Sequence, residues 1–165
     1  MYVGKQSMQG FIFDVYELPY DVDKCLDAAF AKGISLEMEL KSLVLVTSKG
    51  LYVLHLPGNK WVNIRAVKRE LSVKEVVIPI KMDSDSKKRD VERLDQDNKL
   101  SSLDIVYGTV CPFLDNIWFL PHLISQDIFK QKKVSTNNGK LNQYFFFNPM
   151  ILKQHPNHVL GDFSK

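Results

Sequence analysis

Two strand-forming runs, Ser42–Ser48 and Leu51–Leu56, lie either side of Lys49-Gly50 and read as a β-hairpin. Pro57-Gly58 closes that unit. Nothing else in the chain restricts its fold as strongly. The surrounding segments must supply partners for a hairpin whose first strand is apolar from residue 43 to residue 46.

Upstream, Phe11–Tyr16 alternates apolar and polar residues and suits an opening strand, ended by Pro19. Asp21 is placed to cap a helix over Val22–Lys32, with Val22, Leu26, Ala29 and Phe30 on one face and Gly33 as the stop. Downstream, Val62–Leu71 reads as a helix and Lys74–Met82 as a strand. Ile117–Leu120 reads as a strand halted by Pro121, and Leu123–Phe129 as a short helix. Lys133–Thr136 and Gln143–Phe147 are further strands, and Asn148-Pro149 opens a last short helix. Strands and helices mix without a regular βαβ repeat. The expected class is therefore α/β, with a mixed, largely antiparallel and partly barrel-like sheet surrounded by helices.

The stretch 83–99 is almost entirely charged, and apolar spacing survives only at Val91 and Leu94. It is expected as a solvated helix or mobile insertion that carries no site. The length of 165 residues favours one domain, 1–165, with its core at about 11–152. Two cysteines build neither a disulfide framework nor a four-ligand metal site, which suits a reducing compartment. No apolar run approaches the roughly 20 residues of a membrane span, and residues 1–10 lack a signal-peptide core. The expectation is a cytoplasmic protein without membrane contact.

Several residues could carry chemistry. Lys41 stands at the mouth of the apolar run, where its stem can lie on apolar surface and its ammonium can reach a phosphate. The alternative is a lysine that merely snorkels at a strand end. Gly108-Thr109-Val110-Cys111-Pro112-Phe113 forms a Gly-x-x-x-Pro turn, which lets backbone amides approach a ligand and serve an oxyanion. Without a ligand it is a structural turn. Cys111 is either a nucleophile or a small, partly buried stand-in for a hydroxyl; no partner pattern supports the first. Cys25, on a helix face, reads as core. Asn137, Asn138 and Gly139 form a polar patch before a strand, which is otherwise a plain hairpin turn. Lys130, Lys132, Lys133 and Lys140 make a basic cluster, either a solvated face or a rim for nucleic acid. His155 and His158 fall in a tail expected to be exposed, so no metal site is assigned and no cofactor is expected.

Two of these motifs, in this order, resemble the YbaK-like aminoacyl-tRNA editing domains, which include the prolyl-tRNA-synthetase-associated domains. The family segment reads roughly Val-Pro-Pro-Glu-x-x-x-Lys-Thr-Leu-Val, against Ile34 to Val44 here with Lys41 and Ser42 in register. The family turn reads Gly-Ser-Val-Thr-Pro-Phe or Gly-Gly-Val-Ser-Pro-Phe; this chain keeps Gly108, Val110, Pro112 and Phe113. Gly139, Pro149 and Leu152 keep a third spacing. The histidine of alanine-specific members is missing, with Asn137 or Asn138 nearest.

The resemblance implies a deacylase that hydrolyses mischarged tRNA, with alanyl-tRNA for proline first and the cysteinyl form next. It implies Lys41, Gly108, Thr109, Val110, Cys111 and Pro112 as catalytic positions. Ser42, Phe113, Asn137, Asn138 and Gly139 would bind substrate, and the basic cluster would bind tRNA. Hydroxyls of the terminal ribose would position or activate water. The partners are tRNA and a prolyl-tRNA synthetase, in cis if the chain is a domain cut from a longer synthetase, or in trans. The competing expectation is a non-catalytic tRNA-binding or assembly module appended to a synthetase.

Overall fold

The computed structural model describes residues 1–80, 84–106 and 108–165. In chain order the strands are β1 (Tyr2–Met8), β2 (Phe11–Glu17), β3 (Leu40–Thr47), β4 (Gly50–Pro57), β5 (His122–Ser125), β6 (Val134–Asn137), β7 (Gln143–Phe147) and β8 (His158–Gly161). The α-helices are α1 (Cys25–Lys32), α2 (Ile64–Leu71), α3 (Asp85–Leu94), α4 (Lys99–Ser102) and α5 (Asp115–Trp118). Two four-stranded sheets result, one ordered β1-β2-β7-β6 and antiparallel throughout. The other is ordered β3-β4-β5-β8 and is mixed, antiparallel at its first pairing and parallel at the next two. The α/β class with a mixed, largely antiparallel sheet system is as expected. The sheets do not close into a barrel; among the described residues one bridge, Glu39 to Ser135, links them.

The hairpin is buried on both faces, which explains its unbroken apolar run. On one face Leu45, Leu54, Leu56 and Leu123 pack with Val67 of α2 and with Phe163. On the other, Val44 and Val53 pack with Ile117, Leu103 and Ile105. The antiparallel sheet packs its inner face on a second centre, where Phe13 lies 4.4 Å from Phe145 and 4.8 Å from Phe113, ring to ring. Edge-on and tilted contacts of this kind add to the burial of each ring.

Several expectations are corrected. The residues read as a strand at 117–120 fall instead in α5 and the turn after it, because the Leu114 carbonyl accepts from the N–H groups of both Ile117 and Trp118. The helix expected over 123–129 is instead β5 followed by a 3-10 turn, Gln126–Lys130. In 74–80 only Val77 pairs, through a bridge to Val46, so no strand forms there; the rest of that expected strand lies outside the described residues. Residue 83 of the charged stretch also lies outside them. The remainder folds as α3 and the start of α4, and Val91 is buried while Leu94 packs beside it.

Helix α1 starts later than expected, capped by Lys24 rather than Asp21, and ends on Gly33 in the left-handed conformation. Its inward stripe is Cys25, Ala28, Ala29 and Lys32, spaced i, i+3, i+4 and i+7. Leu26 and Phe30, expected inside, are 66% and 87% exposed. A buried lysine has taken the inward place that the apolar pattern assigned to them. The tail is corrected too: residues 158–161 form β8, parallel to β5, and His155, Phe163 and Ser164 are buried.

Candidate functional site

Strand β3 is an edge strand, and its free side borders a cavity of about 750 Å³. Lys41, Ser42, Leu43 and Val44 line it from β3, Gly108 and Val110 from the turn, and Thr136 and Asn137 from β6. Helix α1 and its approach add Asp23, Lys24, Cys25, Leu26 and Lys32. Of the positions singled out in the sequence, Lys41, Ser42, Gly108, Val110 and Asn137 therefore meet in one cavity.

The backbone explains how Gly108 reaches it. Gly108 has φ +85, and a Cβ there would come 3.0 Å from the Asp23 backbone and side chain and from Leu141. Only glycine combines that conformation with so close an approach. Asn137 secures the turn from across the gap: its Nδ2 donates to the Val110 carbonyl at 3.2 Å, and its Oδ1 accepts from Gly139 N–H at 2.8 Å. Lys41 Nζ donates to the Lys60 carbonyl at 2.7 Å and lies 5.1 Å from the centre of the Trp61 ring. That carbonyl is the one acceptor of Lys41 Nζ among the described residues, and beside them it leaves two N–H donors for a ligand. Trp61 also lines the cavity and is 74% exposed.

Other candidates stand elsewhere. Cys111, Pro112 and Phe113 are buried and do not line the cavity. Burial pushes the Cys111 thiol up to about 12, and the Cys25 thiol, on the cavity wall, up to about 11. Neither is a thiolate at neutral pH. Phe113 is the hub of the aromatic core, 5.1 Å from Phe147 and 5.9 Å from Trp118. Thr109 turns its hydroxyl back to the Val106 carbonyl at 2.6 Å. Asn138 builds a turn, donating to Gln6 and Gln143 at 2.9 Å each, and Gly139 packs on Leu114. Lys130 pairs with Asp127 at 3.2 Å, Lys133 covers the Phe146 ring at 4.6 Å, and Lys132 and Lys140 are exposed. None of these four lysines lines the cavity.

Cys111→Ser is expected to leave the cavity intact and the protein folded, at a cost of about 1–2 kcal/mol for the buried hydroxyl. The Phe113 and Leu114 N–H groups that reach its sulfur would partner the new oxygen. Thermal melting checks the fold and its cost; a variant that fails to fold, or that loses far more than about 2 kcal/mol, would contradict this placement of Cys111.

The sequence reading missed a buried histidine cluster. His55, His122 and His155 come from β4, β5 and the tail, and His122 stacks on His155 with ring centres 3.9 Å apart. His122 Nε2 donates to the Ile117 carbonyl at 3.2 Å, since a carbonyl only accepts. Its Nδ1 then accepts from His55 Nε2 at 2.8 Å, and His55 Nδ1 accepts from the Ser42 hydroxyl at 2.8 Å. Every proton in the chain is thereby assigned, and both rings are neutral. Burial holds His55 well below its usual range and brings His122 down to about 3. At the cavity end, Ser42 has committed its proton inward and presents only lone pairs. Four histidines spread from residue 55 to residue 158 give no local signal of this contact.

No group of three metal-ligating side chains forms among the described residues, and none of their helices is long and apolar enough to cross a membrane. No known family model and no curated protein matches the sequence. Solved structures do share its fold. A hypothetical protein superposes with a TM-score of 0.73 at 21% identity, over 94% of this chain and 93% of its own. A candidate trans-editing enzyme for prolyl tRNA synthetase gives 0.70 at 21% identity, over 93% of this chain and 87% of its own. A candidate signal transduction protein from Marinobacter aquaeolei VT8 gives 0.56 at 13% identity, over 80% of this chain and 26% of its own. At these identities the likeness establishes the fold, and one fold serves proteins described in different terms.

Proposed function

We propose that the cavity beside β3 removes amino acids from mischarged tRNA by hydrolysing the aminoacyl ester. The observation that carries this reading is the meeting of Lys41, Gly108 and Val110 on one cavity wall, in a fold shared with a candidate trans-editing enzyme. Lys41 takes a phosphate of the tRNA 3′ end with its remaining donors. The exposed Trp61 ring beside it offers a face on which the terminal base stacks. The Gly108 turn brings the backbone close to the ester carbonyl, where amide groups stabilise the oxyanion.

Water is the nucleophile in this mechanism, because both thiols are held protonated. A ribose hydroxyl of the substrate orients that water. The water oxygen bonds to the carbonyl carbon; as the ester carbon–oxygen bond breaks, the ribose oxygen leaves with one of the water's protons, the other passes to solvent, and the amino acid departs as its carboxylate. Size selection against the cognate residue makes such a site a second sieve, and alanyl-tRNA for proline is the first substrate to try. The protein acts as one unit, alone or joined to a prolyl-tRNA synthetase.

Lys41→Ala is expected to reduce deacylation ten- to a hundredfold, the loss of one charge-assisted contact of about 1.5–3 kcal/mol. The measurement is release of labelled amino acid from purified mischarged tRNA, with several aminoacyl-tRNAs compared side by side. Unchanged turnover in a folded Lys41→Ala protein would remove Lys41 from the mechanism. A tRNA-binding module without catalysis is the second reading, favoured by the absence of histidine among the described cavity residues. Tight tRNA binding with no hydrolysis of any substrate would select it.

A further inference from the structure

The cavity wall contains an ion pair shielded from water. Lys32 Nζ lies 2.6 Å from Glu39 Oε1, and the two side chains are 3% and 6% exposed. Both residues line the cavity. The lysine is fully engaged: it also donates to Ser135 Oγ at 2.9 Å and sits 4.7 Å from the Tyr144 ring centre. The carboxylate is not, since Glu39 Oε2 is buried without a hydrogen-bond partner among the described residues.

Its position is fixed by the backbone on both sides. The Glu39 N–H donates to the Leu36 carbonyl at 3.1 Å, and its own carbonyl accepts from Gly58 N–H at 2.7 Å. Gly58 leaves no slack, because a Cβ there would lie 2.7 Å from the Leu36 oxygen and 3.1 Å from Glu39 Cβ. Burial pushes the Glu39 carboxyl up and the Lys32 ammonium down, while their mutual contact opposes both shifts. In the motif that carries the family resemblance, position 39 is unconstrained, so the pair belongs to this chain rather than to that motif.

We infer that Glu39 Oε2 is the subsite for the α-ammonium of the aminoacyl group, held in place by Lys32. This rests on the deacylase reading for the identity of the ligand, and on geometry alone for the chemistry of the subsite. A carboxylate oxygen accepts and never donates, so the ligand group must carry N–H or O–H. An ammonium makes the charge-assisted form of that bond, the stronger one. Lys32 neutralises the carboxylate from the other oxygen and fixes its direction, which leaves Oε2 buried without a partner among the described residues. Ligands without a free amine leave it unpaired, and such sites discriminate strongly against the deficient analogue. A blocked amine has lost the charge and gained bulk. The subsite would therefore spare peptidyl-tRNA and every other N-acylated tRNA.

The test measures binding without catalysis. Wild-type protein is titrated calorimetrically with 3′-alanylamido-3′-deoxyadenosine and with its propionyl and lactyl counterparts, none of which carries an ester. The alanyl compound is expected to bind at least about tenfold more tightly than the propionyl one, as for one charged hydrogen bond. The Glu39 carboxyl carbon resonance, followed by NMR, is expected to move with the alanyl ligand only. In Lys32→Met/Glu39→Met, which removes both charges together and strands neither, the three ligands are expected to bind within about twofold of one another on the same scale. Equal binding of the alanyl and propionyl compounds to wild type overturns the assignment, and so does failure of all three to bind. Lactyl binding as tight as alanyl would make the group a hydroxyl and equally overturn it. Selective alanyl binding without hydrolysis of any aminoacyl-tRNA would instead retain the subsite and remove the deacylase reading.

Discussion

Between pH 7 and pH 5 the protein is expected to lose roughly 2 kcal/mol of folding free energy through the buried neutral His122, with buried His55 adding in the same direction. The sign follows from where the protons go. In the unfolded chain both rings take a proton near pH 6.5, whereas in the fold His122 resists until about 3 and His55 remains well below its usual range. The unfolded state thus binds more protons across this window, and stability falls as the pH falls. Above pH 7 the contribution is fully present. Glu39, whose carboxyl is raised by burial, works in the opposite sense once the pH enters its range. Urea unfolding at the two pH values measures the effect, and His122→Asn should reduce the pH dependence. Equal midpoints at pH 7 and pH 5 would mean that the rings are not held neutral. Because the folded rings stay neutral across this window, the Ser42–His55 hydrogen bond should persist in the native protein while its stability falls.

Gly108→Ala is expected to cost about 2–4 kcal/mol, combining left-handed backbone strain of about 1–2 kcal/mol with the crowding of the new methyl. Its methyl would press on Asp23 and Leu141 at 3.0 Å, both of which belong to the cavity wall. Relief requires the turn to retreat, carrying Val110 and its bond to Asn137 with it. Deacylation should therefore fall further than stability accounts for. Gly50→Ala provides the comparison, since its φ is +117 but no atom lies within 4 Å of the added Cβ. That variant should show strain without a cavity defect. If both variants melt together and retain the same activity, the Gly108 turn has no part in the site.

Much of this architecture was legible because it is written locally. The hairpin 42–56 announces itself by continuous apolar residues around Lys49-Gly50, Gly33 by its position after a helix, and Asn148-Pro149 by its cap chemistry. Where apolar runs are only about four residues long, periodicity cannot separate helix from strand, and α5 and β5 were exchanged for that reason. Strand β8 carries histidine and glycine, and it is a strand because β5 offers it a parallel edge. In the site, Lys41 and Gly108 were marked by residue type and context. Lys32 and Glu39 were not, since a charge on a helix or before a strand ordinarily faces water. The one hint was Glu39 itself, a carboxylate between Met38 and Leu40 at the approach to an apolar strand.

The free side of β3 has a consequence for how molecules of this protein meet one another. Val46 exchanges both backbone bonds with Val77 at one end, and Glu39 bridges to Ser135 at the other. By the two-residue period of a strand, the N–H and C=O groups of Ser42 and Val44 point the same way as those of Val46, into the cavity. An apolar edge strand left open to solvent invites pairing with a strand from another molecule, and proteins guard against it with charge, bulges or cover. Here the open length is recessed and stoppered at both ends. A ligand small enough to enter can use those backbone groups, while a strand from a neighbouring chain would have to displace the bridges at both ends to pair along them. The feature that makes room for a substrate thus also defends the protein against aggregation through its most apolar hairpin.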